Sequence, residues 1–183
     1  MEYMKRFAWV ALITLLPACA SLKQSSSGPV LARAALQNGS GKAFGTAEFR
    51  ESSEGVLVQL HLSKVREITS RTLLPIHIHD QGKCEGPDFK SAGPHFNPEG
   101  KQHGLENPMG HHLGDLPMVK VAEGSETDAE ILIQGATLTG SGKNSLLKSG
   151  GTAVVIHNGE DDQKSDPAGN AGPRMLCGVI QSP

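Results

Sequence analysis

The residues best suited to chemistry form the run Ile76-His77-Ile78-His79, followed within about forty residues by His95, His103, His112 and Asp115. Six of the eight histidines lie in that interval, among many Gly, Pro and charged residues. Side chains on a β-strand repeat every second residue, so His77 and His79 share one face while Ile76 and Ile78 turn towards a core. Two imidazoles side by side on a rigid strand make half of a metal site. His157, at the end of another apolar run, completes the candidate set. Imidazole suits zinc and copper alike, and geometry must separate them. His95, His103, His112 and Asp115 could form a closed tetrahedral zinc site on one loop. His77, His79 and His157, on or beside strands, could hold a second metal with an open side. Spacing alone neither assigns the metals nor says whether one ligand is shared.

The elements that must position these residues read as short strands between turn signals. Val30 to Leu36 and Ala43 to Phe49 flank the turn Asn38-Gly39-Ser40-Gly41. From Val56 to Leu62, Val56, Val58, Leu60 and Leu62 alternate with Leu57, Gln59 and His61, the pattern of a half-buried strand. Further strands are expected over Leu73 to His79, Met118 to Val121, Ala129 to Ile133, Thr152 to His157 and Met175 to Ile180. Between them run a long aperiodic segment, Asp80 to Leu116, and a shorter one, Asn158 to Pro173. A loop as long as the first is functional or disordered in a compact domain, and its ligand content argues for function. Eight short strands with almost no helical periodicity predict an all-β sandwich or barrel.

The 183 residues accommodate one domain after a leader. The formal charge of −2 gives no basic footprint for nucleic acid. Lys5 and Arg6 precede an apolar run, Phe7 to Leu16, far shorter than the roughly 20 residues that span a bilayer. The run suits a secretory leader. Its end, Leu16-Pro17-Ala18-Cys19, resembles the lipobox of bacterial lipoproteins, which implies a signal peptide over 1–18 and lipid on Cys19. The alternative is an ordinary signal peptide cut near Ala18 or Ala20. A Ser/Lys/Gln-rich tether follows over 19–28, and residues 29–183 form the folded domain. There are three cysteines, so lipid on Cys19 leaves Cys84 and Cys177 able to pair, as an oxidising compartment favours. In the chain-entropy model, closing so long a loop stabilises by about 4–5 kcal/mol.

Taken together, the motifs resemble the copper–zinc superoxide dismutase family, specifically its exported bacterial type. The matching pieces are His77-Ile78-His79-Asp80-Gln81-Gly82-Lys83-Cys84, Gly93-Pro94-His95-Phe96-Asn97-Pro98, Lys101-Gln102-His103-Gly104, Gly110-His111-His112-Leu113-Gly114-Asp115-Leu116-Pro117, Val154-Val155-Ile156-His157, and Gly169 through Ile180. The resemblance implies an eight-stranded Greek-key barrel, one of the sandwich architectures, with a long metal-binding loop and a short second loop. It implies copper on His77, His79, His95 and His157, and zinc on His95, His103, His112 and Asp115, with His95 bridging. Asp161 matches the carboxylate that hydrogen-bonds a ligand of each metal. Arg174 matches the arginine beside the copper, a fixed positive charge for a small anion. Cys84 and Cys177 match the family's disulfide.

The implied reaction is dismutation of superoxide to dioxygen and hydrogen peroxide by alternating Cu(II) and Cu(I), with His95 as the proton donor. The resemblance also implies a place in the bacterial envelope, in the periplasm and tethered to a membrane through the lipid. A homodimer is compatible with it. Two departures stand out: Leu73-Leu74-Pro75-Ile76 lacks the family's usual Gly and aromatic residues, and the short loop is mainly acidic, with Lys164 its only base. His61 and His111 read as surface residues. The alternative function is a lipoprotein that stores or delivers copper or zinc without turnover.

Overall fold

The computed structural model of the protein describes residues 28–124 and 126–183. The expected signal peptide, the lipidation site Cys19 and all but the last residue of the tether lie outside them. Nine strands occur among the described residues: β1 (Ala32–Gln37), β2 (Ala43–Glu51), β3 (Gly55–Ser63), β4 (Leu73–Leu74), β5 (Ile76–His79), β6 (Val119–Lys120), β7 (Glu126–Gln134), β8 (Thr152–His157) and β9 (Arg174–Ile180). Seven form one curled sheet in the order β5-β8-β9-β1-β2-β3-β7, and β4 pairs with β6. All pairings are antiparallel. Strand β5 reaches its neighbour β8 only after the long loop and β6–β7, which gives the sheet its Greek-key character.

The alternation seen in the sequence fixes which faces turn inward. In β3, Val56, Val58, Leu60 and Leu62 are buried, while Leu57, Gln59 and His61 are half-buried outside. Strand β7 answers with Thr127, Ile131 and Ile133 inside and Asp128 and Glu130 outside. The core is aliphatic, with Phe44, Phe49 and Phe96 as its aromatic members.

One expected strand is divided. Leu73 to His79 was expected as a single element, and it splits into β4 and β5 at Pro75. Proline has no N–H for the ladder, so β4 turns to β6. The Pro75 carbonyl instead accepts the His157 amide at 2.9 Å. That bond ties the start of the histidine strand to the end of β8.

Strand β8 is buried on both faces. Val154 and Ile156 enter the main core, while Ala153 and Val155 pack under the long loop with Phe89, Ala92 and Cys177. Cys84 packs against this second cluster and is bonded to Cys177. Registered against β8, His77 faces Val155 and His79 faces Ala153. The histidines therefore lie on the outer face of the barrel, roofed by the loop.

Candidate metal centre

The long loop runs along the free edge of β5. Ile78 donates its N–H to Gly114 O at 2.9 Å and accepts the Phe96 N–H at 2.8 Å, and Asp80 donates to Pro94 O. Bridge pairs set His95 opposite His79 and Asp115 opposite His77. A Cβ at Gly114 would stand 2.2 Å from Ile78 O, so only glycine permits this approach. Loop residues thus acquire strand-like positions beside the strand histidines.

Two sets of donors result. In the first, the donor atoms of His77, His79, His95 and His157 lie within 4.8 Å of one another, all buried. Each ring has one nitrogen anchored. His77 Nε2 is 2.7 Å from Asp161 Oδ2, and His79 Nδ1 is 2.9 Å from Gly93 O. His95 Nδ1 is 2.8 Å from Asp115 Oδ1, and His157 Nδ1 is 3.1 Å from Gly172 O. The opposite nitrogens converge: His79 Nε2 and His157 Nε2 are 3.4 Å apart, and His77 Nδ1 and His95 Nε2 are buried with no partner. Buried polar atoms are nearly always satisfied, so four inward lone pairs with outer nitrogens held by acceptors are the donor set of a metal site.

In the second set, three Nδ1 atoms converge on one oxygen. His95, His103 and His112 place theirs 2.8, 3.0 and 3.2 Å from Asp115 Oδ1. Asp115 Oδ2 accepts the Gly104 and His112 amides at 2.8 and 3.0 Å. The donor atoms of His77, His95, His103 and Asp115 also lie within 4.8 Å of one another, with His112 alongside through its contact to Asp115. Asp161 joins the sets, since its Oδ1 is 3.0 Å from His103 Nε2.

The electrostatics differ between the sets. Desolvation holds His77 below the ordinary histidine value and His79 well below it. It pushes His95 down to about 4 and His157 to about 3. Burial opposes protonation of His103 as well, but the hydrogen bonds and charges of Asp115 and Asp161 overcome it and raise His103 to about 9. Burial likewise opposes the charge on Asp115, yet the close ring nitrogens of His103, His112 and His95 keep its carboxyl far below the carboxylate range. Asp161 is held low in the same way by His103 and His77.

Arg174 donates through Nη1 to Phe89 O and through Nη2 to Gly93 O, both at 2.7 Å. Two of its five donors are used in these contacts. Gly93 O also takes His79 Nδ1, so the guanidinium is coupled to the first set through one carbonyl. Lys164 is 2.9 Å from Glu106, an exposed pair that joins the two loops. His61 pairs with Asp128 on the sheet surface, and His111 Nδ1 donates to His112 O. Neither enters a donor set.

Sequence reasoning missed the carbonyls of Gly93 and Gly172, because backbone acceptors leave no side-chain signal. It also missed Gly169, where a Cβ would lie 2.0 Å from Asp161 Oδ1 and 2.5 Å from His103 Nε2. Asp166, whose Oδ1 accepts the His103 amide, was visible only as one of several acidic residues.

An all-β Greek-key barrel carrying a histidine-rich pair of metal donor sets on its outer face defines a class of metalloprotein. The family model described as copper/zinc superoxide dismutase matches residues 43–180. The chain belongs to that family. It is 45% identical over 178 residues to superoxide dismutase [Cu-Zn] 2 of Aquifex aeolicus, covering 97% of this chain and 100% of that one. It is 40% identical over 146 residues to the superoxide dismutase-like protein YojM of Bacillus subtilis, covering 79% and 73%. The crystal structure of a SOD-like protein from Bacillus subtilis superposes with a TM-score of 0.76 at 36% identity, covering 81% and 97%.

Proposed function

We propose that the protein dismutes superoxide, with copper held by His77, His79, His95 and His157 and zinc by His95, His103, His112 and Asp115. The observation that carries this reading is the set of four buried imidazoles whose outer nitrogens are anchored and whose inner nitrogens converge. When bound, copper supplies the one-electron redox change that converts one superoxide to dioxygen and the next to peroxide, and zinc supplies a fixed positive charge.

The protein's own residues bind, orient and protonate. Arg174 offers a permanent cation beside His79, which attracts a small anion and orients it. His95 presents nitrogens to both sets, so its Nε2 is the position that can carry a proton to the departing peroxide. Asp115 lies 2.8 Å from Nδ1 on the other side of that ring. Asp161 fixes the ring orientation of His77 and His103. Burial excludes bulk water, so the four imidazoles of His77, His79, His95 and His157 stay neutral and able to ligate at pH 7.

The domain plan, a signal peptide over 1–18, lipid on Cys19, a tether over 19–28 and the metal domain over 29–183, belongs to the same proposal, as do the periplasmic, membrane-tethered location and a homodimer. The Cys84–Cys177 bridge supports an oxidising compartment. The test is metal content and superoxide-dismuting activity of the protein loaded with copper and zinc. One copper and one zinc per chain, with activity lost on copper chelation, is the expected result. Zinc binding with an inert copper site would replace the enzyme reading with metal storage or delivery.

A further inference from the structure

The segment between His157 and Asp161 is gripped from outside the metal centre, by the turn that precedes the histidine strand. Thr69, which is buried, donates through Oγ1 to Asn158 Oδ1 at 2.7 Å and accepts the Arg71 amide at 3.1 Å. Arg71 donates through Nε to Asn158 O at 3.2 Å and through Nη1 to Glu160 Oε1 at 3.0 Å. The Asn158 amide is taken by Pro173 O at 2.9 Å. Asn158 is therefore held at its amide, its carbonyl and its side chain, one residue after His157. The turn is itself fixed: Arg66 donates to Arg71 O at 2.9 Å and to Ala122 O at 3.1 Å. A Cβ at Gly159 would stand 2.2 Å from Ala171 O, so the segment also has little room to slide inward.

We propose that Arg71 and Thr69 are positioning residues for the metal centre, setting the spacing between His157 in the copper set and Asp161 between the two sets. The inference rests on the dismutase reading for its meaning but not for its test. One guanidinium bonds both ends of the three-residue span that links His157 to Asp161. Shifting that span moves His157 Nε2 against its three partners and moves Asp161 against His77 and His103. This grip is built from Thr69-Ser70-Arg71, close to the stretch where the sequence departs from the family's pattern.

The test uses the full-length protein loaded with copper and zinc, compared with Arg71→Ala, Arg71→Lys and Thr69→Val. The readouts are the electron paramagnetic resonance spectrum of the bound Cu(II), copper affinity by chelator competition, and the melting temperature of the metal-free protein. Expected are a changed Cu(II) spectrum and copper affinity about tenfold to a hundredfold weaker in Arg71→Ala, the range seen when groups that orient ligands are lost. Thr69→Val should move the same spectrum in the same sense, and Arg71→Lys should restore part of the affinity. A Cu(II) spectrum and affinity equal to wild type in Arg71→Ala, with only the melting temperature lowered, would overturn the proposal. Should Arg71→Ala fail to fold, the same comparison is decided on Thr69→Val. Copper binding by the wild type without dismuting activity would reject the enzyme reading, while the spectra still decide the positioning role.

Discussion

The strand-borne and loop-borne halves of the metal centre use the same side chain under opposite electrostatic conditions. His77, His79, His95 and His157 meet at their free nitrogens with no carboxylate among those contacts, and burial keeps them neutral. His103 lies between two buried carboxylates and holds a proton to about pH 9. Three neutral imidazoles on β5 and β8, joined by His95 from the loop, give a rigid site that a cation can enter without displacing protons from those three. A loop organised around Asp115 gives a site in which the cation must replace a proton. The difference teaches that a ligand's readiness is set by its surroundings rather than by its type.

The sharpest way to break the comparison is His157→Ala. It removes a strand-side donor and nothing from the loop side, so activity should vanish while zinc content and the far-ultraviolet circular dichroism spectrum stay unchanged. Full activity in this variant would reject the ligand assignment.

Asp161→Ala attacks the group common to both halves. It leaves His77 Nε2 and His103 Nε2 without their acceptor. Affinity for both metals should fall about tenfold to a hundredfold, read by competition with a chelator. Loss confined to one metal would show that the halves are held independently.

Protons sharpen the contrast further. In the metal-free protein, the buried neutral histidines give stability that is complete above about pH 6.5, the unfolded value. It is lost as pH falls towards about 4 for His95 and about 3 for His157. His103 has the opposite sign, its stabilisation being complete below about pH 6.5 and lost as pH rises through about 9. Melting temperature against pH should therefore decline on both sides of neutrality. Zinc uptake at pH 7 should release a proton from His103, visible as a buffer-dependent heat in calorimetry, and copper should displace none from His77, His79 and His157, the ring proton of His95 leaving only when both its nitrogens are ligated.

The smallest effect is expected at Lys164→Ala. Its partner Glu106 is exposed and the pair is screened by solvent. Activity and its dependence on salt should remain those of the wild type, and a clear loss of rate at low salt would give the short loop a part in steering.

Much of the fold was legible because alternation is a local signal. Strand β3 could be read residue by residue, and β8 was bounded at Thr152 and His157 as observed. Strand β7 was read short, because Glu126 and Asp128 face solvent and mask the alternating inner residues at its start. The division at Pro75 was legible in principle, since proline cannot join a ladder. The candidate donors were legible as residue types, whereas the carbonyls that anchor them were not. Gly93 O, Gly172 O and the grip of Arg71 on Asn158 are long-range matches of backbone groups, and no sequence period reports them.

The course of the metal loop along β5 has a consequence beyond ligation. That strand is one of the two terminal strands of the seven-stranded sheet, and the loop segments around His95 and Gly114 occupy its outer row of amides and carbonyls. An uncovered row of this kind is a template on which a second chain can add. Were those loop segments absent, the open row would lie beside the buried side chains of Ile76 and Ile78. The same cover that brings the ligands together therefore closes this edge of the sheet to further strand pairing.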